Sequence, residues 1–317
     1  MGIIINPTRD EIQEAAKALI DGHLVAFPTE TVYGLGADAT NEKAVGRVYS
    51  VKARPIDHPL IVHISSINQL DKWAIEIPEY AIKLAEEFWP GPMTLILKRS
   101  KVAKDFITGG QENVGVRVPS HPVALGLLGE FEKLGGLGVA APSANRFGAV
   151  SPTTLSAVHD ELRDFLSGKD SILNGGSCLV GVESTIIDCS QGAPVILRPG
   201  VLTLESIEKC IGIQTNLLKS EVKTSGLLES HYSPKATVVL DAPASLGDGF
   251  IALETVPTPI GAIRLASPAT IEQFAKVIYE ALRLGDRKGI RNIIVIQPNG
   301  NGLALAIRDR LGKAANS

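Results

Sequence analysis

Apolar residues along the first two hundred positions recur with two spacings, one typical of short strands and the other of amphipathic helices. The runs at 3–5 and 24–27 have strand length and are rich in aliphatic residues. Between them, Thr8 precedes Glu11 with the spacing of a capping box and predicts a helix that ends near Gly22. The same alternation predicts further strands at 59–64, 93–97, 114–118, 184–188 and 195–197, and helices from Asn41 and at 78–88, 122–131 and 153–166.

The pattern changes near residue 205. Residues 206–235 contain no long periodic run, so we predict a connection of about 25–30 residues, longer than most loops. Strands then alternate with helices in a way typical of a small parallel α/β domain: strands at 236–240, 260–265 and 290–296, and helices at 271–284 and 303–311. The chain is therefore predicted to form two α/β domains, 1–207 and 236–317, joined by a linker over 208–235.

Composition narrows the class of protein. The 317 residues carry a net charge of -3, which gives the chain no bulk electrostatic reason to coat nucleic acid or an anionic membrane. Hydrophobic residues make up 44%, enough for a core, and 31 glycines with 19 prolines argue against a helical bundle. Cys178, Cys189 and Cys210 form no C-x-x-C pair, and no apolar run approaches the roughly 20 residues of a membrane span. We expect a cytoplasmic protein with reduced thiols and no membrane partner.

One glycine motif imitates a dinucleotide site. Gly34, Gly36 and Ala39 fit G-x-G-x-x-A, and Asp57 follows about 20 residues later. Six residues separate the preceding apolar run from the first glycine, whereas a dinucleotide-binding turn begins immediately after its strand. The sequence also contains no Walker motif and no G-x-S-x-G elbow, which excludes a P-loop and weakens a hydrolase interpretation.

The densest polar cluster follows the second predicted helix. Lys52, Arg54 and His58 are interleaved there with Pro55 and Pro59, which fix an extended backbone. Cations at a helix end compensate its dipole, which is the structural explanation of the cluster. Convergent cations on a rigid loop also suit polyphosphate chemistry, because they neutralise charge spread over phosphoryl oxygens. We favour this second interpretation.

Other polar positions are ambiguous by themselves. His63 lies within an apolar strand run and is, taken alone, typical of a half-buried histidine. Arg117 alternates with valines, which predicts a half-buried strand with the arginine on its other face. The small-residue loops at 140–152 and 174–185 suit either turns or ligand binding, and Arg198 ends a strand. Because these groups follow strands of one α/β domain, we expect them to surround one site.

Together these segments resemble the YrdC-like family. The similarity spans seven ordered blocks, at 28–39, 52–64, 91–97, 114–122, 141–153, 182–188 and 197–200. Residues 231–236, followed by a small α/β domain, are similar to the family's longer, two-domain form, the threonylcarbamoyl-AMP synthases. The resemblance implies a twisted open α/β sheet with helices around a concave, positively lined cavity, and a smaller C-terminal, Rossmann-like parallel α/β domain.

The resemblance also implies an activity. Such an enzyme is a nucleotidyltransferase that combines L-threonine, bicarbonate or carbon dioxide, and ATP into threonylcarbamoyl-adenylate and pyrophosphate, for the threonylcarbamoyladenosine modification of tRNA. Mg²⁺ would arrive with ATP rather than occupy a dedicated protein site, because magnesium usually binds through substrate phosphates. Downstream tRNA-modification proteins are the implied partners, and direct binding of tRNA stays an open question.

The family's site residues carry over position by position. Lys52 and Arg54 match its basic pair at the nucleotide phosphates and are the expected catalytic groups. Arg117 suits a bidentate clamp on the threonine carboxylate. The full set expected at threonine is Thr31, His63, Arg117 and Ser184. Besides the basic pair, the set expected at ATP is His58, Asn113, Ser143, Asn145, Ser151 and Arg198, with His231 and Tyr232 from a linker that folds back over the site. His58 stands where the family often has asparagine.

Two other functions remain open from the sequence. A non-catalytic RNA-binding module could use the basic cavity, although the net charge and the lack of a basic stripe interleaved with aromatic residues argue against it. Carbamoyl transfer to another acceptor occurs in larger proteins that contain this domain. The zinc-finger and acylphosphatase-like segments of those proteins have no counterpart in this sequence.

Overall fold

The chain forms two separate β-sheets in a computed structural model that describes residues 2–5, 7–217, 222 and 232–316. The strands are β1 Gly2–Ile5, β2 Val25–Phe27, β3 Gly34–Asp38, β4 Ile61–His63, β5 Met93–Lys98, β6 Asn113–Arg117, β7 Val139–Ala140, β8 Ser171–Asn174, β9 Thr185–Asp188, β10 Val195–Arg198, β11 Asn216–Leu217, β12 Thr237–Leu240, β13 Gly249–Ile251, β14 Ile263–Ala266 and β15 Asn292–Val295. The helices are α1 Arg9–Ile20, α2 Glu42–Lys52, α3 Leu70–Trp73, α4 Glu79–Phe88, α5 Asp105–Thr108, α6 Pro122–Lys133, α7 Leu155–Leu162, α8 Leu204–Ile211, α9 Ile271–Arg287 and α10 Leu303–Ala315, with a 3₁₀ turn at Ile67–Gln69.

The larger sheet is mixed and buried on both faces. Its described strands run in the order β1-β8-β2-β3-β7-β4-β6-β5-β9-β10-β11. In β2, Val25 and Phe27 pack into a cluster with α1 and α6, whereas Ala26 points into the main core with α2 and α4. Parallel pairing of β4 with β6 sets His63 opposite Arg117, so two predicted site residues are neighbours in the sheet.

The smaller sheet has the order β12-β15-β13-β14, and all of its described pairs are parallel. Helices α9 and α10 pack on it with a core of their own. Its strands and helices match the elements predicted from the C-terminal periodicity, apart from the short β13. The predicted α/β class and the small second parallel domain are therefore confirmed. Within the described residues, no helix is both long and apolar enough to cross a membrane.

The glycine motif forms strand β3, which the sequence did not predict. Gly34–Asp38 pairs antiparallel with β2, and Gly36 faces Val25 across the ladder. A Cβ atom at Gly36 would lie 2.8 Å from the Phe27 ring and 2.8 Å from a methyl group of Val139. The glycine is thus explained by close packing within the sheet.

Part of the segment expected as a linker contains regular structure. Helix α8 begins after Thr203, whose hydroxyl accepts a hydrogen bond from the Ser206 amide, and it packs against α4. Strand β11 then pairs parallel with β10. The end of α8 and all of β11 therefore lie within the stretch expected as a linker over 208–235, and the boundaries of the two domains stay a prediction. Two helical turns that bury only Ile207 fully are too short to give a clear period.

Strand β6 is buried on both faces, which corrects the expectation of a half-buried strand. Val114 and Val116 enter the main core. On the other face, a Cβ atom at Gly115 would contact Ile61 and Ile96 of the neighbouring strands. Val222, from the expected linker, packs on the same small apolar cluster as Ile96. Side chains of the neighbouring strands and Val222 therefore cover the second face of β6. The alternation of valines with Gly115 and Arg117 instead predicts that this face is exposed to solvent.

Candidate active site

One cavity collects most of the residues that the sequence singled out. Its wall is built from the segment between β2 and β3, from β4, from the ends of β6 and β10, and from residues next to β7 and β9. The predicted site residues that line it are Thr31, Arg54, His63, Arg117, Ser143, Ser184, Arg198 and Tyr232. Segments far apart in sequence therefore meet at one place, as expected for an α/β site.

The other predicted site residues lie elsewhere. Lys52, Asn145 and Ser151 are buried and do not line the cavity. His58 is partly exposed beside Phe147, with ring centroids 5.3 Å apart, and Asn113 begins β6 opposite Lys98. His231 lies outside the described residues, so its contact with ATP stays a prediction.

The Lys52 side chain connects the end of α2 to the loop after β7. It ends α2, and its ammonium group donates hydrogen bonds to the carbonyl oxygens of Ser143 and Asn145, both at 2.5 Å. Burial and the neighbouring Arg54 charge lower the pKa of Lys52 well below its ordinary value. In this structure the side chain holds the 143–145 segment in place, one layer behind the cavity wall.

Arg54 is a cation fixed in the wall itself. Its Nε donates to the carbonyl oxygen of His58 at 3.3 Å, and one Nη donates to that of Pro59 at 3.0 Å. The guanidinium lies 5.8 Å from the centre of the Phe147 ring. Burial lowers the pKa of Arg54 to about 10, so the group stays charged at neutral pH. The basic loop therefore presents a positioned positive charge to the cavity.

Arg117 forms a buried ion pair that the sequence did not reveal. One Nη lies 2.5 Å from Oε1 of Glu30, whose Oε2 accepts the Ser120 amide at 3.0 Å. Both charged side chains are about 5% exposed. Glu30 lies between two threonines in the 28–39 block, and this position was the only sequence signal that could have indicated a role in the site. A ligand carboxylate at Arg117 would share the guanidinium with Glu30.

His63 is a neutral imidazole in the cavity wall. Burial, and next the Arg117 charge, lower the pKa of His63 to about 3. Its Nδ1 has no hydrogen-bond partner among the described residues. Because an unpaired buried nitrogen is costly, this atom is well suited to bind a polar ligand group.

Ser184 and Arg198, which also line the cavity, are hydrogen-bonded to each other. The Ser184 hydroxyl lies 2.7 Å from that of Thr94, and an Nη of Arg198 donates to Ser184 Oγ at 3.0 Å. The Arg198 Nε also donates to the Ser184 carbonyl oxygen at 3.1 Å. Both residues are thus oriented by fixed contacts before any ligand arrives.

Glu183 connects the cavity to the second domain. Its Oε1 accepts from the hydroxyl of Ser151 at 2.6 Å, and its Oε2 accepts from the hydroxyl of Tyr279 at 2.8 Å and from Nε of Arg310 at 2.9 Å. Burial by itself would raise the pKa of Glu183, but the charges of Arg310 and Arg198 lower it to about 2. The sequence did not single out Glu183, although it lies in the 182–188 block. Tyr279 and Arg310 were also missed, because they have the sequence pattern of ordinary positions in amphipathic helices.

Tyr232 completes this side of the cavity. Its ring stacks on Tyr279 with centroids 5.7 Å apart, and the guanidinium of Arg310 lies 5.7 Å from its centre. The residue is 1% exposed and has a φ of 63°, a left-handed conformation that tertiary contacts must hold. The cavity wall thus includes a residue supported by the second domain.

Comparisons with known proteins agree with this architecture. Residues 17–200 match the Sua5/YciO/YrdC family model, which carries the description "telomere recombination", and residues 202–316 match the C-terminal domain model of threonylcarbamoyl-AMP synthase. The chain belongs to the threonylcarbamoyl-AMP synthase family. This is a family of enzymes that transfer the AMP part of a nucleotide.

Individual relatives cover nearly the whole chain. The threonylcarbamoyl-AMP synthase of Pyrococcus abyssi is 42% identical over 99% of this chain and 98% of its own. That of Bacillus subtilis is 38% identical over 96% of this chain and 93% of its own. A crystal structure of Pyrococcus abyssi Sua5 complexed with L-threonine superposes with a TM-score of 0.89 at 39% identity, covering 99% of this chain and 98% of that one. Both domains are therefore shared with these relatives.

Proposed function

We propose that this protein combines L-threonine, bicarbonate and ATP into L-threonylcarbamoyl-adenylate, with release of pyrophosphate, for the threonylcarbamoyladenosine modification of tRNA. The observation that carries the proposal is the convergence of Arg54, Arg117 and Arg198 with neutral hydrogen-bonding groups in one cavity. Two relatives that match nearly the full chain are threonylcarbamoyl-AMP synthases, and one solved relative is complexed with L-threonine.

The proposed reaction needs positioning more than a covalent nucleophile. The threonine amine and bicarbonate form a carbamate with loss of water. A carbamate oxygen then attacks the α-phosphorus of ATP, and the bond to the β-phosphate oxygen breaks so that pyrophosphate leaves. Fixed cations stabilise the negative charge that develops on the phosphoryl oxygens, and a rigid cavity lowers the entropy cost of bringing three reactants together. Arg54 is the described cation best placed for the phosphates.

We assign threonine to the part of the cavity around Arg117. The guanidinium would bind the carboxylate, and Thr31, His63 and Ser184 would supply neutral hydrogen bonds to it or to the hydroxyl and amine. The neutral state of His63 supports this assignment, because an uncharged imidazole can accept as well as donate.

ATP is assigned to the remaining wall. Arg54, Ser143, Arg198 and Tyr232 line it. Contacts of ATP with His58, Asn113 and His231 stay predictions. Lys52, Asn145 and Ser151 would act from behind, by holding the wall. The catalytic role predicted for Lys52 is thus proposed as control of the 143–145 segment together with charge near the phosphates.

Mg²⁺ would enter on the phosphates of ATP and supply further charge neutralisation there. The described acidic residues of the site fit this role of the ion, since Glu30 is bound to Arg117 and Glu183 to Arg310. No group of three His, Cys, Asp or Glu suited to a metal occurs in the described part of the chain. The adenylate product would pass to proteins that transfer its threonylcarbamoyl group to tRNA, so we expect the protein to work in the cytoplasm.

The test is an assay of pyrophosphate release by the purified full chain, with threonine, bicarbonate and ATP each omitted in turn. We expect release only with all three. Release that does not depend on threonine would overturn the substrate assignment. Arg117→Lys is expected to raise KM for threonine, and Arg54→Lys to raise KM for ATP, each roughly tenfold, because lysine cannot reproduce a planar fork of donors. Arg163→Lys, at a side chain 57% exposed, is the matched control.

A further inference from the structure

One carboxylate of the first domain, that of Glu183, contacts both α9 and α10 of the second domain. Glu183 lines the cavity, and it precedes Ser184, a residue that we predict to bind the substrate threonine. Among the described residues, three side chains hydrogen-bond to the Glu183 carboxylate, and two of them come from the second domain, Tyr279 on α9 and Arg310 on α10. We propose that Tyr279 and Arg310 are positioning residues of the active site, which act on the bound substrates through Glu183.

Electrostatics make Glu183 sensitive to these partners. The carboxylate is 6% exposed, and the Arg310 side chain is 1% exposed. A charge buried this deeply must be balanced mainly by protein groups, because little water reaches it. If Arg310 withdrew, Glu183 would have to turn toward Arg198, the other cation that lowers its pKa. Arg198 orients Ser184, so this movement would disturb the wall where substrate binds.

Arg310 also reaches the cavity by a second contact. Its guanidinium lies 5.7 Å from the Tyr232 ring, which in turn stacks on Tyr279. A planar cation near an aromatic face stabilises the ring's position. The same two second-domain residues therefore support two residues of the wall, Glu183 and Tyr232.

A second interdomain ion pair provides a comparison. Arg283 of α9 lies 2.8 Å from Glu161 of α7 and also donates to the carbonyl oxygen of Val150. Neither Arg283 nor Glu161 lines the cavity. This pair holds the domains together without contacting Glu183. A variant of Arg283 should therefore weaken the contact between the domains and leave the position of Glu183 unchanged.

The inference rests on the proposed function and is tested by steady-state kinetics and by threonine binding. Tyr279→Phe keeps the ring that stacks on Tyr232 and removes one hydrogen bond to a charged group. We expect kcat/KM to fall about tenfold, mainly through KM for threonine, and the melting temperature to fall no more than in Arg283→Gln. Arg310→Lys should show a larger fall in kcat/KM, because lysine keeps the charge and loses the planar geometry.

A double-mutant cycle identifies the route of the effect. If Tyr279 acts through Glu183, Tyr279→Phe should cause almost no further loss in a Glu183→Gln background. Arg283→Gln should lower the melting temperature and leave the KM for threonine near that of the wild type. Arg287→Gln, at an exposed α9 side chain paired with Glu280, should change neither quantity.

Three results would overturn the inference. They are wild-type kinetics in both Tyr279→Phe and Arg310→Lys, additive effects of Tyr279→Phe and Glu183→Gln, and an equal rise in KM in Arg283→Gln. Failure of the proposed function would be observed separately, because the wild-type protein would then release no pyrophosphate in response to threonine. Calorimetric threonine affinity then decides the inference by itself: weakened binding in Tyr279→Phe supports it, and unchanged binding refutes it.

Discussion

The ammonium group of Lys52 lies 2.5 Å from the carbonyl oxygen of Asn145 and donates a hydrogen bond to it. The end of α2 is thereby joined to the loop after β7, and a second bond to Ser143 strengthens the connection. Two sequence blocks expected at ATP, 52–64 and 141–153, are thus joined by hydrogen bonds. The lysine fixes the backbone that presents Ser143 to the cavity.

Lys52→Met is expected to reduce both stability and activity. The substitution leaves two buried carbonyl oxygens without their donor, which costs roughly 1–3 kcal/mol of unfolding free energy, and kcat/KM for ATP should fall at least tenfold. Urea denaturation and the pyrophosphate assay measure the two effects. Lys43→Met, at an exposed position of the same helix, should leave both unchanged. Full stability with lost activity would instead assign Lys52 to direct phosphate contact alone.

Replacement of His63 should change the pH dependence of stability. The pKa of His63 is about 3 in the folded chain and near 6.5 when unfolded, so only the unfolded chain binds the proton between these values. The free energy of unfolding therefore falls as pH drops from 6.5 toward 3, by up to roughly 4 kcal/mol from this group.

His63→Gln removes that contribution. Its stability should depend less steeply on pH than that of the wild type between pH 6.5 and 4, as measured by urea denaturation at several pH values. Parallel curves for the two proteins would contradict the neutral, buried state of His63.

Gly36→Ala tests the packing explanation of the glycine motif. The added methyl group would meet Phe27 and Val139 at 2.8 Å, so we expect a loss of about 1–3 kcal/mol of stability. Gly46→Ala is the matched control, because Gly46 lies within α2 with nothing within 4 Å of the new Cβ. That variant should gain up to about 1 kcal/mol, since alanine favours the helix. Thermal unfolding of both variants measures the contrast, and equal stabilities would refute it.

Glu30→Gln should make stability depend more strongly on threonine. Without its counter-charge, buried Arg117 costs the free protein about 3 kcal/mol. A bound threonine carboxylate would replace the missing charge, so the rise in melting temperature on adding threonine should exceed that of the wild type. Glu42→Gln, at an exposed position, is the control. A smaller rise than in the wild type would place the carboxylate away from Arg117.

Local sequence signals predicted many elements correctly. The capping box of Thr8 and Glu11 is present in the structure, and Asn41 caps α2. Strand β3 was missed because its glycines carry no strand signal, although they permit close packing in the sheet. Helix α8 was missed because it is short.

The sequence by itself determined the α/β class, the second parallel domain and half of the residues that line the cavity, because spacing, caps and family blocks are local properties of the chain. Only the tertiary structure decided which of these residues face the cavity and which stand behind it, as Lys52 and Ser151 do. It alone revealed the pairs of Arg117 with Glu30 and of Arg310 with Glu183, whose members lie 87 and 127 residues apart. The order of strands and the docking of domains bring such groups together, and burial then fixes their charge states, which no local pattern specifies.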